Sequence, residues 1–207
     1  MALRRSLFSA LLLTCLLALS GCGGPGQAAP SLSAGAASAA NTSSPPPSPD
    51  PRPTPASSTG PARNLPKPVL PEVAKQNTKE GFEAFTQYWF DTITYGLETG
   101  DSSPLREASL PDCKMCNGYI ADAEKVARGE GWYVGPRWKI SSFDANMILD
   151  PYRRAMAYFF LEESPSQDYG ASGDLVENRA PTPDRDPKVI HATFKEGLWL
   201  AAEAGQA

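Results

Sequence analysis

The 207-residue chain carries 19 basic side chains, 23 acidic ones and a single histidine, for a formal net charge of −4. From Asn77 onward the balance is 13 basic to 21 acidic residues, a net of −8. That excludes nucleic-acid binding by phosphate neutralisation and flat adsorption onto anionic lipid. One histidine and one cysteine pair in this region fall short of a closed four-ligand zinc site, so no metal and no cofactor is expected.

The chain opens as a processed leader. Arg4 and Arg5 precede an apolar run from Leu7 to Leu19, the n-region and h-region of a secretory signal. Thirteen residues are too few to cross the hydrocarbon core of a bilayer, which takes roughly 20. Leu19-Ser20-Gly21-Cys22 resembles a bacterial lipobox, in which the cysteine thiol takes a diacylglycerol and the signal peptide is cut just before it. The resemblance implies that residues 1–21 are removed and that Cys22 is the lipidated N-terminus. It also places the protein at the outer face of the cytoplasmic membrane, in the cell envelope. At about 0.8 kcal/mol per buried CH₂, two acyl chains anchor a protein stably where one does not. Plain secretory cleavage after the small residues Ala18-Leu19-Ser20 is the alternative.

Residues 22–70 read as a disordered tether. Thirteen of the 21 prolines lie between Pro25 and Pro71, and no aromatic residue lies between Cys22 and Gly81. The Ala/Gly/Ser part is expected to be flexible coil and the Pro-rich part a polyproline II spacer, with an extended reach on the order of 150 Å at about 3.1 Å per residue. The aromatic residues resume after Gly81, which sets the globular domain at 71–207.

Within the domain, Asn77-Thr78-Lys79-Glu80 reads as a capping box. Phe82, Phe85, Trp89, Ile93 and Leu97 then recur on one helical face, and Gly100 supplies a left-handed C-cap. Ser103-Pro104 starts a short second helix. A third opens at Pro111-Asp112 with Asp112 as cap, lines Cys113, Cys116, Ile120, Ala123 and Ala127 along one face, and ends at Gly129 and Gly131. Gly135-Pro136 marks the change to strand. Arg137 to Met147 alternates as a half-buried strand, and Asp150-Pro151 makes the turn. Ala155 to Glu163 is apolar on both faces, as a central strand covered on both sides would be. Lys188 to Phe194 and Leu198 to Glu203 form a hairpin turning at Glu196-Gly197. The fold class is therefore α+β, with helices packed on one face of a curved antiparallel sheet.

The order Gly81-Phe82-Glu83-Ala84-Phe85, Tyr88-Trp89, Tyr95, Thr99-Gly100-Asp101 and Cys113-Lys114-Met115-Cys116 resembles an actinobacterial lipoprotein family whose C-terminal domain has no assigned function. More loosely, the helix-then-sheet order is similar to the cone-shaped fold of the nuclear transport factor two-like and polyketide-cyclase-like superfamily. That resemblance implies a pocket between sheet and helices. Trp89, Tyr95, Trp138, Tyr158 and His191 are the candidates to line it.

Three stretches carry candidate chemistry. Cys113 and Cys116 at a helix start suggest a thiol–disulfide oxidoreductase, since the helix dipole lowers a thiol pKa there. The approach Arg106-Glu107-Ala108-Ser109-Leu110-Pro111-Asp112 lacks the apolar strand such enzymes need, and a structural disulfide fits an exported protein better. His191 could act as a general base, although no acid or nucleophile lies at readable spacing. Residues 164–187 are long for a loop, and a lid, a short hairpin and disorder remain open. Asp168 to Asp174 fails as a calcium loop, because Gly170 and Arg179 stand where ligands are needed. Trp132-Tyr133 and Arg137-Trp138-Lys139 interleave aromatic and basic residues and read as sheet packing.

The best-supported reading is a non-catalytic, lipid-anchored binding module, whose partner is an envelope protein, a wall component or a small apolar ligand. Cys22→Ala is expected to abolish acylation and release the protein from membranes or leave it as precursor. Retention of the variant in the membrane pellet after alkaline extraction would falsify the lipid anchor.

Overall fold

The computed structural model of the chain describes residues 51–183 and 186–207. The leader, Cys22 and residues 22–50 lie outside the described residues. The protein has an α+β fold in which three helices precede the strands of two antiparallel sheets, and those strands interleave along the chain. Among the described residues no helix is long and apolar enough to cross a membrane.

Helix α1 spans Lys79–Thr99. Its N-cap is Thr78, not Asn77. The Thr78 backbone is extended, and its Oγ1 accepts from the Gly81 N–H at 3.0 Å. The third helical position is thus a glycine rather than the Glu80 of the expected box. A Cβ at Gly81 would stand 2.1 Å from the carbonyl oxygen of Gln76, so the preceding 3₁₀ turn, Glu72–Lys75, packs against the helix only because that atom is missing. At the other end Gly100 adopts φ 82° and donates to the Gly96 carbonyl, as expected of a left-handed cap. The stripe Phe82, Phe85, Trp89, Ile93 and Leu97 is wholly buried. Each such side chain contributes about 1.5–3 kcal/mol relative to exposure.

Helix α2 is short, Ser103–Glu107, and the Asp101 carboxylate accepts from the Ser103 N–H at 3.0 Å. Helix α3 spans Lys114–Ala127, and Cys113 rather than Asp112 is its N-cap. The Cys113 sulfur accepts from the Cys116 N–H at 3.3 Å, so the residue that begins the helix is the one that cross-links its first turn. The buried face ends on Val126, with Ala127 exposed.

The strands are β1 Gly131–Val134, β2 Trp138–Ala145, β3 Ala155–Glu163, β4 Ser166–Gly170, β5 Leu175–Arg179, β6 Thr182–Pro183, β7 Lys188–Lys195 and β8 Leu198–Gln206. The larger sheet runs β2-β3-β7-β8, with β6 paired to the end of β3. The smaller runs β1-β4-β5. The stretch from 164 to 187, where three readings were open, holds the β4–β5 hairpin and β6. Arg179 clamps the hairpin by binding both Asp168 carboxylate oxygens, at 2.9 and 2.8 Å. Trp132 stacks on Tyr169 at 5.2 Å and so joins β1 to it. The last hairpin turns at Glu196-Gly197 with φ of 54° and 82°, the left-handed pair that a two-residue turn requires.

One expectation for β3 is corrected. Ala155, Ala157, Phe159 and Leu161 face the helices and are buried, but the opposite row is open, with Tyr158 43% and Phe160 37% exposed. The strand is apolar on both sides yet covered on one, because every helix packs on the same face of the sheet. That face is called inner below, and the other outer.

Both edges of the larger sheet are closed without a further strand. The Gln87 side chain on α1 donates to the Trp138 carbonyl at 2.9 Å and accepts from the Ile140 N–H at 3.1 Å, so its amide stands in for a neighbouring peptide group on β2. On β8 the Ala201 carbonyl accepts from the Leu110 N–H at 2.8 Å, and the Ala201 N–H donates to Ala108 at 2.9 Å. Closing edges in this way removes templates for unwanted pairing.

The domain begins earlier than residue 71. Residues 51–70, expected to belong to the tether, lie along α1 and β1 as a strap. Thr54 and Arg63 pair as a small hairpin, the Ser57 carbonyl accepts from the Trp132 indole N–H at 2.7 Å, and Ala62 is buried with its N–H on the Glu98 carbonyl at 2.9 Å. Lys67 ties the strap to Asp101 at 2.8 Å. The composition misled because a strap needs few apolar side chains when its backbone is hydrogen-bonded to an existing surface.

Burial pushes the Asp101 carboxyl up, but the Lys67 ammonium together with the hydroxyl and N–H of Ser103 outweighs it and holds the group at about 2. A carboxyl depressed in the folded state stabilises fully above its ordinary pKa of about 4 and ceases to do so as the pH falls to about 2. The latch is therefore expected to loosen between pH 4 and 2. Hydrogen exchange at the Ala62 amide, corrected for intrinsic rate, should lose protection across that window. Lys67→Ala should show low protection at every pH, and an unchanged profile in that variant would refute the latch.

Candidate ligand pocket

The inner sheet face and the helices do not meet along their whole length. Between α3, the middle of α1 and the far ends of β3, β7 and β8 they leave a cleft of about 230 Å³. Phe90 from α1, Met115 and Tyr119 from α3, Trp138 from β2 and Phe159 and Leu161 from β3 form its walls. The aromatic rings touch in sequence. Phe159 lies 5.9 Å from Phe90, Phe90 is 6.0 Å from Trp138, and Trp138 is 5.8 Å from Tyr119. Such tilted and edge-on contacts add roughly 0.5–1.5 kcal/mol each beyond burial. They also hold the walls rigid around the gap. Ala204 and Gly205 are small residues on the β8 side of the cleft.

The rim is polar and balanced, with the carboxylate of Glu163 and the ammonium of Lys188. Burial pushes the Tyr119 phenol up, with the Glu163 and Asp122 charges adding to it, so the hydroxyl stays protonated and is a donor through the neutral range. The cleft thus offers an apolar interior with a hydroxyl and one charge of each sign at its mouth. This pattern, a mostly apolar hollow with few polar groups, is that of small-molecule sites, at the small end of their size range.

The cysteine pair sets one wall. Cys113 and Cys116 are joined as a disulfide with Cα atoms 5.3 Å apart, and both residues are fully buried. The bridge fixes the first turn of α3. Met115 and Tyr119 are one helical turn apart, so that turn aims both at the cleft.

Of the five residues expected to line a pocket, only Trp138 lines this cleft, and Tyr95 lines a separate hollow between α1 and the strap. Trp89 is buried in the core, its indole N–H on the Ser109 hydroxyl at 3.0 Å. Tyr95 lies on another side of α1, where its hydroxyl reaches Asp101 at 3.4 Å beside the strap. Tyr158 and His191 belong to the outer face. Ile190 and Ala192, the neighbours of His191, are fully buried on the inner face, and alternation turns the histidine the other way. Its Nδ1 is shut off from solvent without a hydrogen-bond partner among the described residues, and its cross-strand neighbour Glu203 is bound to Arg154 at 3.2 Å. A general base needs a substrate cavity before it, and the cleft lies on the opposite side of the sheet.

The large apolar and aromatic wall residues Phe90, Met115, Tyr119, Phe159 and Leu161 escaped the reading of the sequence, as did the rim residues Glu163 and Lys188 and the small residues of β8. The signal for two of them was present, since Phe159 and Leu161 form one of the two apolar rows of β3. Among the described residues no group of three or more His, Cys, Asp or Glu side chains could hold a metal ion.

A family model described as a family of unknown function (DUF6318) matches residues 52–205, a span that takes in the strap as well as the helices and sheets. No curated protein matches. Among solved structures, the chain is similar to the crystal structure of the intermembrane space region of the chloroplast protein ARC6, at 14% identity and a TM-score of 0.44, over 62% of this chain and 95% of that one.

The buried bridge is expected to be structural. Replacing both cysteines by serine should lower stability by about 2 kcal/mol, the size of the chain-entropy term for so short a loop. The native protein should resist thiol reductants until it unfolds, which mass spectrometry after alkylation with and without denaturant would read. Rapid alkylation of Cys113 in the reduced, folded protein near neutral pH would make the redox reading the better one.

Proposed function

Since the chain belongs to the DUF6318 family of unknown function, its role has to be argued from its own residues, and we propose that it is a non-catalytic binding module that takes a small apolar ligand in the cleft between α3 and the sheet. The lipobox-like stretch ending at Cys22 supports a module anchored by lipid at the outer face of the cytoplasmic membrane. The observation that carries the reading is the cleft itself, a hollow of about 230 Å³ walled by Phe90, Tyr119, Trp138 and Phe159. An apolar ligand gains roughly 25 cal/mol for each Å² it removes from water there. Glu163 and Lys188 give the rim no net charge, which suits an uncharged or zwitterionic head group. The helix-on-sheet arrangement around the cleft is in keeping with the cone-shaped superfamily that the sequence resembles.

The two catalytic alternatives draw less support. A thiol–disulfide oxidoreductase needs an accessible thiolate, and both residues of the bridge are fully buried. A pocket enzyme using His191 needs that side chain in the cleft, and it lies on the outer face.

N-phenyl-1-naphthylamine, an uncharged fluorescent probe, is expected to bind at one site with enhanced emission and with quenching of tryptophan fluorescence. Ala204→Phe narrows the cleft from the β8 side and should weaken binding at least tenfold. Equal affinity in that variant, with its thermal transition unchanged, or no binding by the unaltered protein, would remove the basis for the proposal.

A further inference from the structure

The outer face of the larger sheet is a second surface, separate from the cleft. Its centre is apolar. Met156, Tyr158 and Phe160 form one row on β3, and Val189 lies beside Tyr158 on β7. Tyr158 and Phe160 are among the exposed large hydrophobic residues of the domain, and they stand two positions apart on one strand, on the same face. The rim is charged and mixed in sign. At one end Lys139 is paired in register with Glu162. Toward the other lie Asp144, opposite Tyr158 and bound by Lys79 at 3.5 Å, Lys195 on β7 with Glu196 beside it at 3.6 Å, and Arg154, which binds Asp150 at 2.7 Å and Glu203 at 3.2 Å.

With four cations, Lys79, Lys139, Arg154 and Lys195, against five anions, Asp144, Asp150, Glu162, Glu196 and Glu203, the rim is within one charge of neutral, whereas the chain from Asn77 onward carries −8. Two copies of an acidic domain repel one another across most of their surfaces. They do so least across a neutral face, and a rim carrying both signs lets each copy set its cations against the anions of the other. A face that is apolar at its centre and balanced at its edge is therefore complementary to itself. Area points the same way. Strands of eight or nine residues, at about 3.3 Å per residue and about 4.8 Å between strands, span on the order of 19 by 26 Å. Two such faces bury on the order of 1,000 Å² together, the lower bound for a specific interface.

We propose that this face is the contact between two copies of the chain, which stack their larger sheets outer face to outer face. The association would be weak in dilute solution and strengthened where both copies are confined to one surface. The inference does not rest on the ligand cleft, which lies on the other side of the sheet and remains open in such a pair.

The test uses two differently tagged full-length copies, co-expressed, with Phe160 replaced by the photoreactive p-benzoylphenylalanine. A cross-linked band at twice the chain mass that carries both tags is expected. Tyr158→Arg in both copies should lower its yield at least tenfold. Val176→Arg, on the exposed strand β5 of the smaller sheet, should leave it unchanged. Should Tyr158→Arg disturb the thermal transition, Lys139→Glu carries the same test from an exposed rim position, because it lowers the charge of the face by two. Its yield should fall severalfold. Absence of the double-tagged band, its replacement by a cross-link to a different protein, or a yield indifferent to both Tyr158→Arg and Lys139→Glu would overturn the proposal.

Discussion

Everything in the domain is referred to the buried face of α1. Phe82 stacks on Trp199 of β8 at 4.6 Å and meets Phe143 of β2 edge-on at 5.4 Å, so one side chain bridges the two outermost strands of the larger sheet. Trp89 and Phe90 continue the contact toward β3. Apolar burial is non-directional and would allow the helix to slide. Direction comes from the few polar groups along it. The Gln87 amide docks on β2, Thr94 donates to the Pro136 carbonyl at 2.8 Å, and the Trp199 indole reaches back to Gln76 at 3.0 Å. The aromatic stripe supplies most of the free energy, and these hydrogen bonds choose the register.

That register decides where the gap lies. With α1 held tightly at its N-terminal half and the first turn of α3 fixed by the disulfide within it, the layers part toward the far ends of β3, β7 and β8. The cleft is thus a consequence of two fixed elements meeting a sheet that extends past them. Its aromatic walls pack on one another as well as on the gap, which keeps an apolar hollow open at a cost that denser packing would otherwise remove.

The strap adds a constraint of another kind. It buries little apolar surface, yet it joins the end of α1, the indole of Trp132 and the Asp101 turn. The outer sheet face, in contrast, is left with an apolar centre and no covering element among the described residues.

Much of the fold was legible. The α1 stripe, the Gly100 cap, the order of helices before strands and the Glu196-Gly197 turn are local signals, each carried by residues within one or two turns of one another. The reading erred where a choice depended on a neighbour distant in sequence. Two caps moved by one residue, because the Gln76 carbonyl beside Gly81 and the Cys113–Cys116 bridge decide which residue begins each helix. Residues 51–70 looked like tether, because composition registers apolar side chains and not backbone partners. Of the site, the sequence by itself determined that Cys113 and Cys116 could bridge and that aromatic residues were plentiful. Only the tertiary structure decided which aromatics face the cleft, which face of β3 is open, and that His191 looks away from both the core and the cleft. Alternation along a strand states that two faces differ, but the side on which the helices lie is settled by contacts between elements some 70 to 100 residues apart.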